Sequence, residues 1–250
     1  MKKNSLVVRM VLALMMVAVL FVPMMGSAAP ATIKIGTIYP LTGANATTGA
    51  DCMSGVEMAL DIINNSYDID FPFAKTVGIP NLGGAKLELV VGDSRGDATV
   101  GMAETERIIT ESKVCAFFGG YQSGVVKTTS MAAERLQIPY VLSDATSPTL
   151  TERGFQWFFR VIPHDGIQAK NALEMVNDIE KKEKVDLKKL AILWENTEWG
   201  ASVAVELRKW AAHYGYKLVA DISYVYKATD VSAEVLKIKA ANPDIIVHAA

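Results

Sequence analysis

The stretch of sequence that decides the fold runs from one short apolar segment through two glycines into another: Val114-Cys115-Ala116-Phe117-Phe118-Gly119-Gly120-Tyr121-Gln122-Ser123-Gly124-Val125-Val126. The first segment has the length and composition of a buried strand, and the second opens an amphipathic segment with helical spacing. A strand that turns into a helix is the unit from which parallel α/β sheets are built. We therefore predict a strand over residues 114–118 and a helix over residues 124–136.

The same alternation extends to both sides of this stretch. The first series has predicted strands over 33–39, 87–91, 114–118 and 140–143, and helices over 50–65, 98–112 and 124–136. The second series follows an extended segment at 158–163, with helices over 165–184, 199–214 and 231–241 and strands over 190–194, 217–224 and 244–248. The sequence thus predicts an α/β protein with two Rossmann-like parallel-sheet domains, 32–161 and 162–250.

The second series stops at Ala250, immediately after an apolar strand. A parallel sheet of three strands has open edges, and parallel sheets are normally covered by helices on both faces. We therefore expect the second domain to be truncated, that is, incomplete at its C-terminus in this chain.

The first 31 residues have the pattern of an export signal. Basic residues precede an almost wholly apolar segment, residues 10–25, and small residues follow it. A retained membrane anchor is the alternative, but the segment is short for a membrane span and is broken by Pro23. We predict a cleaved signal peptide over residues 1–31 and a periplasmic or extracytoplasmic mature protein.

The charge and the cysteines of the remaining chain limit its partners and its covalent links. Three of the 25 basic residues lie in the signal segment, which leaves 22 basic residues against 27 acidic ones, a net charge of −5. Nucleic acids select basic surfaces, so we predict no nucleic-acid partner. Cys52 and Cys115 fall at opposite ends of the predicted sheet, which disfavours a disulfide because bridged Cα atoms lie within about 7 Å.

Catalytic and cofactor motifs fail on their spacing. A Walker loop needs a lysine directly after its last glycine, whereas Val125 follows Gly124. The glycines after the first strand lack the spacing of a dinucleotide fingerprint. A hydrolase elbow needs a serine midway between two glycines, whereas Ser123 adjoins Gly124. With three scattered histidines as well, we predict no catalytic residue, no metal site and no cofactor.

Two neighbouring strand ends carry the remaining polar groups. Ser123 lies at the start of a predicted helix, where free N–H groups and the helix dipole favour an anion, although capping its own helix is an alternative role. After the next strand, the Asp144 carbonyl and the Thr146 hydroxyl are acceptors in the same crevice. Donors beside acceptors suit a zwitterion, with its carboxylate at Ser123 and its ammonium at the acceptors.

Several short segments follow one another in a specific order along the chain. They include Gly36-Thr37-Ile38-Tyr39-Pro40-Leu41-Thr42-Gly43, Tyr121-Gln122-Ser123, Ser147-Pro148-Thr149-Leu150-Thr151-Glu152-Arg153-Gly154, Phe158-Phe159-Arg160 and Glu198-Trp199-Gly200. Together they resemble the periplasmic binding proteins of branched-chain amino acid ABC transporters, the leucine/isoleucine/valine-binding family. The resemblance implies a type I periplasmic binding fold, in which a hinge joins the two domains and a cleft between them holds the ligand. It further implies no catalysis, an amino acid or related zwitterion as ligand, and a membrane permease as partner.

The resemblance also implies roles for individual residues. Ser123 would hold the ligand carboxylate, and Tyr121 would line the pocket. The Asp144 carbonyl and Thr146 would receive the ammonium, while Trp199 would close over the ligand.

Two positions depart from the family pattern. Thr48 stands where relatives often carry an aromatic residue, and Asp144 replaces a small residue. The ligand therefore need not be leucine, isoleucine or valine. Two other functions stay open at this point, namely a sensor or receptor domain for amino acids or amides on the same fold, and an exported hydrolase that uses Ser123.

Overall fold

Strands and helices alternate along residues 32–250, which are the residues that this computed structural model describes. The predicted signal peptide, residues 1–31, lies outside the described residues. Within residues 32–250, no helix has both the length and the apolarity that crossing a lipid bilayer requires.

The first sheet consists of five parallel strands in the spatial order β2-β1-β3-β4-β5. The strands are β1 (Ile33–Tyr39), β2 (Leu87–Asp93), β3 (Ala116–Gly119), β4 (Tyr140–Leu142) and β5 (Phe158–Arg160). The connecting helices are α1 (Ala46–Asn64), α2 (Ala98–Ser112) and α3 (Ser123–Arg135), with short 3₁₀ helices at Pro72–Ala74, Pro80–Leu82 and Pro148–Leu150. Helices α2 and α3 pack against each other and enclose a core that includes Ile38, Ile108, Phe117 and Tyr140.

The second sheet consists of three parallel strands in the spatial order β7-β6-β8. The strands are β6 (Lys189–Glu195), β7 (Lys217–Tyr224) and β8 (Ile245–Ala249), and the helices are α4 (Asp165–Glu183), α5 (Glu198–Tyr214) and α6 (Ser232–Ala241). Helices α4 and α5 pack together over a core of fully buried residues: Leu173, Leu190, Ile192 and Leu207.

The predicted α/β architecture with two parallel sheets is confirmed, and the predicted strands and helices are all present with small shifts at their ends. The largest shift is in α1, which begins at Ala46 rather than at residue 50. A Cβ atom on Gly49 would lie 2.1 Å from the Pro40 carbonyl oxygen. Gly49, which in the sequence indicates a loop, therefore allows the first turn of α1 to pack closely against the Pro40 backbone.

The two cysteines lie apart, as predicted. Cys52 is half-buried in the second turn of α1, rather than at the start of the helix, and Cys115 is exposed just before β3. Both thiols are free.

Candidate functional site

A cavity of about 540 Å³ lies where the carboxyl ends of strands from both sheets meet. Its walls come from the loops after β1, β2, β3 and β4 on one side and after β6 and β7 on the other. Open parallel sheets present their ligand sites at this end, because the strand-to-helix turns collect there. The predicted cleft is therefore present as a cavity between the two sheets.

The turn after β3, residues 120–123, is called the donor loop here. Gly120 has a φ of +92°, and a Cβ atom there would lie 2.4 Å from a methyl group of Val126 and 2.7 Å from the Tyr140 hydroxyl. This turn therefore needs glycine, and it directs the chain sharply into α3.

Ser123 lies within the donor loop as the first residue of α3. It is 1% exposed, lines the cavity, and its hydroxyl has no hydrogen-bond partner in the structure. The residue before the helix is Gln122, so Ser123 does not cap α3, and the capping role considered for it is wrong. Among residues 32–250 the Ser123 and Gly124 N–H groups also have no backbone acceptor, as expected for a first helical turn.

The turn after β4, residues 143–147, is called the acceptor loop here. The Asp144 carboxylate accepts hydrogen bonds from the hydroxyls of Tyr39, at 2.9 Å, and Ser143. The Asp144 backbone carbonyl has no donor among residues 32–250, and Asp144 is one of the residues that line the cavity. Thr146 lines the cavity as well.

Trp199 reaches the acceptor loop from α5. Its indole Nε1 donates a hydrogen bond of 2.9 Å to the Thr146 hydroxyl, so the two predicted site residues contact each other directly. The Thr146 oxygen keeps its own proton and one further lone pair. Trp199 therefore closes on the acceptor loop in this structure, a contact that sequence reasoning did not predict.

Tyr121 and Thr48 are placed differently from each other. Tyr121 is 37% exposed and lines the cavity, and burial is the main cause that raises the pKa of its phenol, while an interaction with the Thr48 hydroxyl acts in the opposite direction. Thr48 lies in the first turn of α1 and is not among the residues that form the cavity wall; Asn45 takes that place. Thr48, which the sequence placed at the site, is therefore not part of the cavity wall in this structure.

The cavity wall has further polar residues that sequence reasoning missed, among them Tyr226, Glu195 and Glu198. The Tyr226 hydroxyl donates a hydrogen bond of 2.7 Å to Asn45 Oδ1, and Glu195 is 9% exposed at the end of β6. Lys127 Nζ lies 3.2 Å from the Glu198 carboxylate, another residue of the cavity wall. The same strand-end rule that identified Ser123 would have found Glu195 and Tyr226, had it been applied to β6 and β7.

The hydrolase alternative finds no support in this geometry. A serine nucleophile needs an adjacent base, usually a histidine, that is itself oriented by a third group. None of the residues that line the cavity in the described part of the chain is a histidine. His248 is instead hydrogen-bonded to Tyr224 at 3.0 Å.

Comparison with known proteins gives one family. The family model described as "Periplasmic binding protein" matches residues 32–250. A Leu/Ile/Val-binding protein homolog from Brucella suis is 29% identical over 93% of this chain and 56% of its own length.

Solved structures give the same fold. The substrate-binding protein LivJ of a branched-chain amino acid transporter from Streptococcus pneumoniae, in complex with isoleucine, is 26% identical with a TM-score of 0.69, over 87% of this chain and 56% of its own. A solute-binding protein of an ABC transporter from Rhodopseudomonas palustris, in complex with 3,4-dihydroxybenzoic acid, has a TM-score of 0.70 at 19% identity, over 87% and 54%. This chain thus spans about half the length of these proteins. With a family model that matches all of the described residues and the fold of solute-binding proteins, the chain belongs to the periplasmic binding protein family.

Proposed function

We propose that the chain is the extracytoplasmic solute-binding component of an ABC importer, and that it binds an amino acid in the cavity between the sheets and delivers it to the membrane permease. The observation that carries the proposal is the Ser123 hydroxyl, which is buried, belongs to a residue of the cavity wall and has no partner in the structure. Buried hydroxyls are nearly always hydrogen-bonded, so one without a partner at a cavity wall is suited to a ligand.

The ligand carboxylate would bind at the donor loop. The Ser123 hydroxyl has no partner, the N–H groups of Ser123 and Gly124 have no backbone acceptor among residues 32–250, and the dipole of α3 favours a negative charge at this end of the helix. No lysine or arginine lines the cavity in residues 32–250. Neutral donors at the helix N-terminus would therefore carry the anion.

The ligand ammonium would bind at the acceptor loop. The Asp144 carbonyl is free among residues 32–250, and the Thr146 oxygen keeps a lone pair beside its bond from Trp199. An ammonium group has three donors, so it needs about one further acceptor. Glu195, which lines the same cavity, would supply a negative charge on the opposite wall.

The test is a ligand screen on the whole gene product, stripped of carried-over ligand by unfolding and refolding. We expect an amino acid from a panel that includes L-leucine, L-isoleucine and L-valine to raise the melting temperature, since a ligand that binds only the folded state stabilises it by about 2.7 kcal/mol at 100 times Kd. Shifts with aromatic acids such as 3,4-dihydroxybenzoate alone would instead assign the ligand class of the Rhodopseudomonas palustris protein. A panel without any shift would contradict the proposal.

A pair of serine variants connects the screen to the site. Ser123→Ala should weaken amino acid binding by about 1–3 kcal/mol, the range for a hydrogen bond to a charged group. Ser130→Ala is the matched control, because Ser130 is buried in the same helix but its hydroxyl bonds the Val126 carbonyl, away from the cavity. Equal affinities of the two variants would remove Ser123 from the site.

A further inference from the structure

Arg160 is the last residue of β5, and its guanidinium reaches back to the acceptor loop. Nη1 donates to the Ala145 carbonyl at 2.8 Å and Nη2 to the Ser147 carbonyl at 2.5 Å. Arg160 is half-buried and does not line the cavity. It therefore contacts the loop from behind rather than any ligand.

The carbonyl of Thr146, between those of Ala145 and Ser147, has a different donor. Thr146 accepts a hydrogen bond of 2.9 Å from the backbone N–H of Asp165, the first residue of α4. Three successive carbonyls of the acceptor loop, at residues 145, 146 and 147, are thus engaged by Arg160 and Asp165. The Asp144 carbonyl, like that of Ser143, has no donor among residues 32–250.

Asp165 connects this cluster to the second sheet. Its side chain is fully buried, and one carboxylate oxygen accepts a hydrogen bond of 2.7 Å from the Ser202 hydroxyl on α5, one turn after Trp199. Burial lowers the pKa of the Arg160 guanidinium, and the nearby Asp165 carboxylate acts in the opposite direction. The acceptor loop is therefore fixed to β5, α4 and α5 at once.

We propose that Arg160 is a positioning residue that sets the ammonium half of the site, because it holds the acceptor loop in the one conformation that leaves the Asp144 carbonyl and the Thr146 hydroxyl facing the cavity. This inference rests on the proposed amino acid binding. Since Arg160 acts through the loop, its loss should lower affinity for a ligand that carries an ammonium group and spare a ligand that lacks one.

The chain contains a matched control in Arg153. Its guanidinium also clamps backbone, with hydrogen bonds to the carbonyls of Leu150 at 3.0 Å and Lys127 at 2.9 Å, and it is half-buried like Arg160. It makes no hydrogen bond to residues 143–147. Arg153→Met therefore removes a similar clamp without touching the acceptor loop.

The experiment measures the binding of L-leucine and L-isoleucine, and of 4-methylpentanoate and 3-methylpentanoate, which are the same molecules without the amino group. In the whole gene product, Arg160→Met should lower affinity for the amino acids about tenfold or more and for the two acids less than about twofold. Arg153→Met should leave unchanged the ratio between the affinity for each amino acid and the affinity for the corresponding acid without the amino group. Arg160→Lys, which can satisfy one carbonyl rather than two, should give a smaller loss of the same selectivity and serves if the Met variant does not fold.

The possible outcomes separate the two proposals. Equal losses for amino acids and acids in the Arg160 variants would overturn the positioning role while amino acid binding by the unaltered protein still stands. Equal changes of the amino acid-to-acid affinity ratio in the Arg153 and Arg160 variants would also overturn the positioning role. If the unaltered protein binds no amino acid of the screening panel, the proposed function fails and the inference fails with it; if it binds a different amino acid, that amino acid and its analogue without the amino group replace the two pairs.

Discussion

The donor loop and the acceptor loop follow neighbouring strands of one sheet, and their polar groups are satisfied to very different degrees. In the acceptor loop, the carbonyls of residues 145–147, the Asp144 carboxylate and the Thr146 hydroxyl all have partners within the chain. In the donor loop, the Ser123 hydroxyl and the Gln122 amide oxygen are buried without any.

This difference shows how a site can be both rigid and open to a ligand. A loop whose outward-facing groups are held in place by other protein groups loses little entropy when a ligand arrives, which preserves affinity. A buried hydroxyl without a partner costs about 1–3 kcal/mol in the free protein, and a ligand that supplies the partner recovers that energy. On the proposed function, the acceptor loop would contribute preorganisation and the donor loop a driving force for binding.

The largest expected effect concerns the backbone of the donor loop. Gly120→Ala should lower the free energy of unfolding by about 3 kcal/mol, because it combines a φ of +92° with a Cβ atom 2.4 Å from Val126. Urea unfolding of the whole gene product measures this loss. Gly124→Ala is the control, since its nearest neighbour is the Glu198 Cβ atom at 3.8 Å and its φ is not positive. Similar stability of the two variants would mean that the donor loop does not depend on its glycine turn.

The carboxyl ends of the strands could be predicted from the sequence, because the spacing of apolar residues and the turn residues that follow them determine where each strand ends. The positions of Ser123 and Thr146 just after two neighbouring strands predict that they lie at the ligand site, and both are in the cavity wall. Contacts between distant segments could not be predicted in this way. The bond from Trp199 to Thr146 and the clamp of Arg160 on Ala145 depend on how the two sheets and β5 are oriented, which no local pattern specifies.

A second prediction concerns the pH-dependent reactivity of Cys52, whose thiol lies beside the Asp144 carboxylate of the acceptor loop. Burial, and then the nearby Asp144 carboxylate, raise the pKa of the Cys52 thiol to about 11. In a Cys115→Ser background at pH 8, Cys52 should react with iodoacetamide about a hundredfold more slowly than a thiol of ordinary pKa, about 8.5. Asp144→Asn removes the carboxylate, the smaller of the two causes that raise the Cys52 pKa, and should therefore accelerate the reaction about several-fold.

The same pKa shift has a defined effect on stability. A thiol whose pKa is higher in the folded state keeps its full contribution below the unfolded pKa, and that contribution is lost as pH rises from about 8.5 towards about 11. Unfolding followed between pH 7 and pH 11 should therefore show a steeper loss with Cys52 present than in a Cys52→Ala variant. Identical slopes, or alkylation at an ordinary rate, would show that the Cys52 thiol is not buried beside the Asp144 carboxylate.

The smallest expected effect tests the donor loop most directly, in the absence of ligand. Ser123→Ala should change the free energy of unfolding by less than about 0.5 kcal/mol, or raise it, because the hydroxyl that it removes has no partner to lose. Ser130→Ala, in the same helix, should lower it by about 1 kcal/mol, because that hydroxyl bonds the Val126 carbonyl and accepts a bond of 2.7 Å from Arg153. Urea unfolding of ligand-free protein measures both values. A loss at Ser123 as large as that at Ser130 would show that the Ser123 hydroxyl is satisfied within the free protein, and the contrast between the donor loop and the acceptor loop would then disappear.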